Sequence, residues 1–383
     1  MSPQTFDYII AGGGLAGLSL AHRINRSLLR DRRLLIIDRE EKVANDHTWC
    51  FWSDADVGFE DIVFHRWKKL GFFTFDGEQL SLDIGSEGFE YRMVRASDFY
   101  SYVIPKLRDC PSVEFLTADI LDIRDGEVET SKGNFEARKM VFDSVSVPGY
   151  DESRDHNLLQ HFLGWNVETE EDAFDPSEAV LFDFRVQQIG ECRFIYVLPV
   201  SPREALVEFT IFSGSLLEEE EYESNLKDHL ENTLGLGEYR IIGRESGVIP
   251  MSDAVHDQRP SEKIVRIGTA GGWVKPSTGY SFKRSQQRTE AIVRALESDS
   301  PVPVFGSRWK NFLDSVLLDV LEKGTPPAAE VFERLFRRNP SDRVLRFLDE
   351  DASVSEDLRL MSTVELGPFT RSALLELARR IRK

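Results

Sequence analysis

The sequence is poor in cysteine, has no long apolar run and is short of positive charge. Its three cysteines (Cys50, Cys110, Cys192) are odd in number, far apart and without paired spacing. That excludes a disulfide framework and a cysteine-based zinc site, and suits a reducing compartment. The longest stretch without a charged residue, residues 8–22, has 15 residues and includes four glycines. A membrane-spanning helix needs ~20 predominantly apolar residues, so no span is expected. No basic segment precedes an apolar stretch near residue 1, so no secretory leader is expected either. Lys plus Arg is 47 against 66 Asp plus Glu, a formal net charge of −19. That excess repels phosphate backbones and excludes nucleic acid as a partner. Repeats and low-complexity tracts are also missing.

What is present is a long globular chain. Its 383 residues suit two or three modules around a shared core. Hydrophobic residues at 41% and charged residues at 30% exclude a disordered chain. Residues 6–11 (FDYIIA) read as a short apolar strand, residues 15–27 as a helix, and residues 34–37 as a second apolar strand ending at Asp38. Residues 70–75 and 80–84 flank Asp76-Gly77 and read as a hairpin. Residues 97–107 read as a helix. Strand candidates follow at 113–116, 127–130, 140–145, 162–169, 179–184, 193–200, 205–212 and 264–267, with an acidic amphipathic helix at 218–234. A helix is expected from about Tyr280, and from Val304 the pattern is almost wholly helical, broken at Pro326-Pro327 and Pro340. The mixture predicts an α/β (α+β) fold.

The run Gly12-x-Gly14-x-x-Gly17 joins the first strand to the first helix. Glycine at its first position permits a tight turn, at its second lets backbone approach a diphosphate, and at its third lets helix and strand pack closely. The helix N-terminus, with Leu15 and Ala16 in its first turn, then faces the anion. Asp38, with Arg39 beside it, ends the next strand where an acid suits a ribose hydroxyl pair.

Four further clusters carry possible chemistry. Residues 46–52 (DHTWCFW) put His47 near Cys50, but no second His or Cys stands at ligand spacing. No metal set is expected there, and an aromatic loop packed on a cofactor or on the core is. Arg95 precedes a helix and is either a phosphate or adenosine contact or a surface charge. Residues 268–280 (GTAGGWVKPSTGY) form a second glycine-rich strand-to-helix loop, whose helix dipole would stabilise negative charge. Finally, Glu208 interrupts the apolar run of residues 205–212 (ALVEFTIF). Alternation puts it on one face with Leu206, Thr210 and Phe212, and puts Ala205, Val207, Phe209 and Ile211 on the other. It is either an edge-strand charge that blocks aggregation or a buried acid with a raised pKa.

The order of these motifs resembles the bacterial lycopene cyclases. The resemblance rests on GGGLAG (12–17), HTWCFW (47–52), YRMVRASDFY (91–100), ALVEFTIF (205–212), GVIPM (247–251) and AGGWVKPSTGYSF (270–282). It implies the flavin-hydroxylase type of fold: a Rossmann-like FAD-binding domain, an inserted antiparallel sheet domain over the substrate, and C-terminal helices. The divisions expected are 1–64, 95–150 and 245–300 for the FAD domain, 65–94 and 151–244 for the sheet domain, and 301–383 for the helices. It implies FAD contacts from Gly12, Gly14, Leu15, Ala16, Gly17, Asp38, Arg39, His47, Thr48, Trp49, Arg95, Gly271, Gly272, Pro276, Thr278, Gly279 and Tyr280. Two departures stand out. The family's strand carries two adjacent acids before Thr, where this chain has Glu208 and then Phe209. Flavin hydroxylases usually place an acid after the glycine of the late loop, where this chain has Thr269.

The resemblance further implies a reaction without net redox change, in which lycopene or a related linear carotenoid forms β rings. Glu208 is the implied acid. It protonates the C1=C2 bond, the C5=C6 bond closes on the cation, and C6 loses a proton. FAD in its reduced form is implied, with NAD(P)H as electron donor. An FAD-dependent monooxygenase or a prenyl reductase acting on a lipid-like substrate is the alternative. A membrane-dissolved substrate implies a cytoplasmic protein held peripherally on a membrane surface, with residues 309–321 and 331–348 as docking candidates or as helices that merely cover the sheet.

Overall fold

The computed structural model describes residues 3–147, 149 and 155–381. Among the described residues, two seven-stranded sheets and one three-stranded sheet carry the fold. In the first, strand Gln4–Ala11 lies between Leu34–Asp38 and Gly133–Asp143, parallel to both. Val113–Thr117 extends this order beyond Leu34–Asp38, and Ile264–Arg266 pairs with Gly133–Asp143, again in parallel. A parallel sheet is covered on both faces, and the burial of Gln4–Ala11 fits that rule. Tyr8 and Ile10 pack with the helices Leu15–Asn25, Ala96–Arg108 and Phe282–Glu297, while Ile9 and Ala11 join an apolar cluster on the other side.

The second sheet runs Tyr239–Ser252, Asn157–Thr169, Glu204–Ser213, Cys192–Ser201, Glu178–Asp183, Lys69–Phe73, Gln79–Asp83. Every pairing is antiparallel except that of Glu178–Asp183 with Lys69–Phe73. One face packs Val207, Phe209 and Ile211 against Tyr222 and Leu226 of helix Glu219–Asp228. The other packs Leu206 and Phe212 against the C-terminal helices through Phe332, Leu335 and Phe336. Phe332 stacks on Phe182 at 4.7 Å. Burying an aromatic of this kind contributes about 1.5–3 kcal/mol, so the sheet and the helices hold one another in place.

Several segments differ from the expectations above. Residues 48–53 are no loop: Thr48–Ser53 pairs with Glu90–Arg95, which also pairs with His65–Trp67, making the third sheet. Strand Tyr239–Ser252 has no counterpart in the sequence reading, because its chemistry does not follow its faces: Ile242 and Val248 are exposed, while Glu245 is buried. It stays in the second sheet as far as Ser252, so the division expected at 245 falls inside a strand. The acidic helix stops at Asp228 and continues as a wider turn over His229–Thr233. Beyond Val304 the helices are Arg308–Lys323, Ala328–Arg338, Ser341–Leu348, Val354–Met361 and Leu366–Ile381. Of the two readings for residues 309–321 and 331–348, docking faces or helices that cover the sheet, the second holds: Val316, Leu318, Phe332, Leu335, Val344 and Leu345 are core.

Candidate active site

A cavity of about 420 Å³ lies between the first sheet, the small sheet and the inner face of the second sheet. Its two ends differ in chemistry. At one end are Gly14, Leu15 and Ala16, His47 to Trp49, Gly268, Thr269 and Ser277 to Gly279. At the other are Phe162, Leu181, Phe182, Phe194, Leu198, Phe212, Phe332 and Leu348. Glu208, Glu245, Tyr196 and Tyr280 stand among them.

The polar end fits a dinucleotide. A Cβ built on Gly14 meets nothing within 4 Å, so the helix N-terminus opens on free space. No acid occupies the first turn of that helix and, among the described residues, no side chain caps it, leaving its N–H groups and positive dipole end free for an anion. Gly12 and Gly17 instead serve packing. Gly12 has φ +104°, and a Cβ on Gly17 would sit 2.0 Å from the Gly12 carbonyl oxygen. Asp38 accepts a hydrogen bond from the Gly13 N–H at 2.6 Å, which ties the glycine loop to the second strand. In the late loop Thr278 Oγ1, and opposite it Gln160 Oε1, are buried without a partner among the described residues. Each is free to hydrogen-bond a bound group.

The late loop is clamped from outside by charge. Lys275 Nζ contacts Asp314 at 2.5 Å and Glu350 at 3.2 Å, and Ser277 donates to Asp314 at 2.7 Å. Lys283 contacts Asp349 and Asp351, and Arg284 contacts Glu350 at 3.0 Å. Burial alone would raise the Glu350 carboxyl, but Lys275 and Arg284 together pull it down to about 2.

Other expected contacts lie away from the cavity. Arg39 is exposed. Arg95 gives its guanidinium to Asp98 at 2.7 and 3.0 Å and lies over the Phe64 ring. A Cβ on Gly271 would meet the Arg266 carbonyl at 2.4 Å, and Gly272, at φ +68°, abuts His256. Those two glycines shape the turn, while Gly268, Thr269 and Trp273 reach the cavity; Pro276 is not among its lining residues.

Glu208 is no edge-strand charge. Its strand lies between Asn157–Thr169 and Cys192–Ser201, and the residue is 8% exposed. The alternation expected from the sequence holds, with Thr210 and Phe212 on the cavity side and Phe209 in the opposite core. In register, Gly164 of the neighbouring strand stands between Glu208 and Glu245. Glu245 was missed: between Arg244 and Ser246 it reads as a solvated charge. The available signal was Gly164, since a lone glycine inside an apolar strand marks a close approach.

The two carboxyls are hydrogen-bonded to each other. Burial pushes Glu208 well above the usual carboxyl range, and the adjacent Glu245 charge and hydrogen bond push it further. Burial also raises Glu245, against the pull of a hydrogen bond from Thr48 Oγ1 at 2.6 Å and of the nearby His47. The Thr48 hydrogen bond thus favours charge on Glu245, the one of the two carboxyls that it reaches. Tyr196 is Glu208's cross-strand neighbour, and its hydroxyl meets that of Tyr91, which lies 2.9 Å from the Tyr280 hydroxyl. Burial pushes the Cys50 thiol up to about 12, so it stays protonated.

Away from the cavity, His156, Asp253 and Glu376 bring three potential metal-ligand atoms within 4.8 Å of one another. Both ring nitrogens of His156 are already engaged, Nδ1 by Glu322 at 2.8 Å and Nε2 by Glu376 at 3.2 Å and Arg379 at 3.0 Å. The group works as an ion-pair knot that fastens helix Leu366–Ile381.

Residues 7–374 match the family model described as lycopene cyclase protein. The chain is 25% identical over 299 residues to a lycopene beta-cyclase of Pantoea ananas, covering 74% of this chain and 72% of that one. It is 24% identical to a lycopene beta-cyclase of a Paracoccus strain, covering 94% of each. Among solved structures it resembles a flavin-dependent brominase with a TM-score of 0.63 at 15% identity, covering 98% of this chain and 100% of that chain. The fold is that of the flavin-hydroxylase type.

Proposed function

Since the chain belongs to the lycopene cyclase family, we propose that it closes the linear ψ ends of lycopene or a related carotenoid into β-ionone rings by acid-initiated cyclisation. The observation that carries this reading is Glu208, a buried carboxyl kept neutral on the wall of a cavity with one dinucleotide-shaped end and one apolar end.

An alkene is a very weak base, so its protonation needs a neutral acid in a site without bulk water. Glu208 meets both requirements. Its O–H bond breaks as C1=C2 takes the proton, C6 closes on the C1 cation, and loss of the C6 proton completes the ring. The hydroxyl-bearing rings of Tyr196 and Tyr280 offer π density beside the cation in place of water. The apolar end, from Phe162 to Leu348, suits a polyene chain.

FAD would be held by the helix N-terminus at Gly14, Leu15 and Ala16, by His47, Thr48 and Trp49, and by Thr278 and Gly279. Bound in its reduced state with NAD(P)H as electron donor, it would supply negative charge against the developing cation. Asp38 remains the candidate for the ribose.

For docking, helix Leu366–Ile381 replaces the two segments expected from the sequence. It exposes Leu366, Leu374, Leu377 and Ile381 along one stripe. The same helix carries Arg371, Arg379 and Arg380 and one acid, the buried Glu376. In a chain of net charge −19 this is a locally basic, apolar face, suited to an anionic lipid surface on the cytoplasmic side.

Expression in cells that accumulate lycopene, followed by pigment chromatography, tests the reading. Ring-bearing products are expected, and unchanged lycopene would contradict it.

A further inference from the structure

Glu245 lies outside the sequence motifs that carry the cyclase reading, yet the fold builds a special place for it. Along Tyr239–Ser252 the residues before it are exposed or half-exposed, and Glu245 is the first to be buried, at 9% exposed. It sits in register with Gly164, and so does Glu208 from the other side. A Cβ on Gly164 would come within 2.8 Å of Glu208 Cγ and 3.4 Å of Glu208 Oε1. The central strand thus gives up its side chain where two carboxyls meet. Thr48 donates to Glu245 Oε2 at 2.6 Å, which fixes the outer carboxyl from the small sheet. Both acids line the cavity.

We propose that Glu245 is the positioning partner of Glu208, holding the pair's single proton on Glu208 and standing as the second carboxylate when that proton leaves. The proposal rests on the reading of Glu208 as the acid. Two carboxylates in contact cannot both ionise cheaply, so one proton stays between them. Thr48 and His47 favour the charged form of Glu245, and among the described residues no such donor faces Glu208, so the asymmetry has a structural cause. The other titratable groups near Glu208 are Cys50, Tyr91, Tyr196 and Tyr280, all neutral.

The step balances. The Glu208 O–H pair stays on oxygen as the proton joins C2 and leaves a cation at C1. The C5=C6 pair forms the C1–C6 bond and moves the cation to C5. The C6–H pair then becomes the ring double bond, and its proton returns to the carboxylate pair. Between those events two negative charges face one positive charge, where Glu208 alone would supply one.

The test is infrared titration of the flavin-loaded protein, following the carbonyl stretch of a protonated carboxyl. Wild type should keep this band well beyond the pH at which ordinary carboxyls lose it, and Glu208→Gln should abolish it. Glu245→Gln should keep the band but lower its titration midpoint by about one pH unit or more, as expected for removal of a like charge in contact. Glu245→Asp, which restores the charge, should bring the midpoint back toward wild type. A Glu245→Gln midpoint equal to wild type overturns the proposal. Because the readout needs no turnover, it stands apart from the cyclase assignment: an active Glu208→Gln enzyme sinks that assignment whatever the titration shows. In cyclisation assays the same variant should lose its high-pH activity at lower pH than wild type.

Discussion

Glu208 and Glu245 meet over a single glycine. They belong to strands that never pair with each other, and Gly164 on the strand between them leaves the gap they share. Gly164→Ala should therefore act on chemistry before stability. The added methyl, 2.8 Å from Glu208 Cγ, must push that side chain aside. Overpacking of this size costs typically about 1–3 kcal/mol. Thermal melting should show a folded protein, with cyclisation reduced by a much larger factor. Activity close to wild type would show that the spacing of the carboxyls does not matter.

The glycine fingerprint separates into roles that mutation can tell apart. Gly14→Val finds open space, so the apoprotein should fold with an unchanged circular dichroism spectrum and fail to retain flavin. Gly17→Val collides with the Gly12 carbonyl and should compromise folding itself. Retention of FAD by the Gly14 variant would place the diphosphate elsewhere.

Holding Glu208 neutral costs stability, and the sign is fixed by linkage. Below the ordinary Glu value of 4.5 the residue is protonated in both folded and unfolded chains. Above it the unfolded chain ionises while the folded one does not, so stability falls as pH rises until the folded carboxyl itself titrates. Within that window the loss is about 1.4 kcal/mol per pH unit. Glu208→Gln should therefore gain stability over wild type on going from pH 5 to pH 7 in denaturant titrations. A pH-independent difference would mean that the carboxyl is not held neutral.

Helix Leu366–Ile381 should carry membrane binding. Leu374→Glu with Leu377→Glu changes only exposed positions, so melting temperature should stay within a few degrees. Flotation with anionic phosphatidylglycerol vesicles should fall several-fold, and pure phosphatidylcholine should bind wild type weakly. Equal flotation of wild type and variant would move the docking face elsewhere.

Local signals carried much of the fold and only half of the carboxyl pair. The first strand, the glycine loop and the first helix were legible because an apolar run, three spaced glycines and a 3.6-residue period fall in one short stretch. The face of Glu208 was legible from alternation alone. Strand Tyr239–Ser252 was not, because it lies at the edge of its sheet, where Ile242 and Val248 face water and the acid Glu245 faces inward, so apolar and polar residues do not mark its two faces. With that strand unseen, Glu245 had no face to be assigned to. Thr48–Ser53 reads as a loop because two tryptophans and a phenylalanine there pack around Tyr280 and Phe282, contacts between segments far apart in sequence. For residues 331–348 the covering alternative holds over docking for a related reason. Apolar, arginine-bearing helices at 331–348 match a membrane pattern, yet their apolar residues are spent on the sheet core.

The central claim is that Glu208 is the acid of a reaction that consumes no reductant. The direct measurement is anaerobic conversion of lycopene in vesicles by flavin-loaded enzyme reduced with dithionite, with pigments quantified by chromatography. Wild type should form ring-bearing product through many turnovers per flavin, with no NAD(P)H present. Glu208→Gln should retain its flavin and lose cyclisation by orders of magnitude, while Phe209→Leu, on the opposite face, should remain active at a stability cost of about 1 kcal/mol. Product limited to one ring per reducing equivalent, or a Glu208→Gln enzyme as active as wild type, would contradict the account.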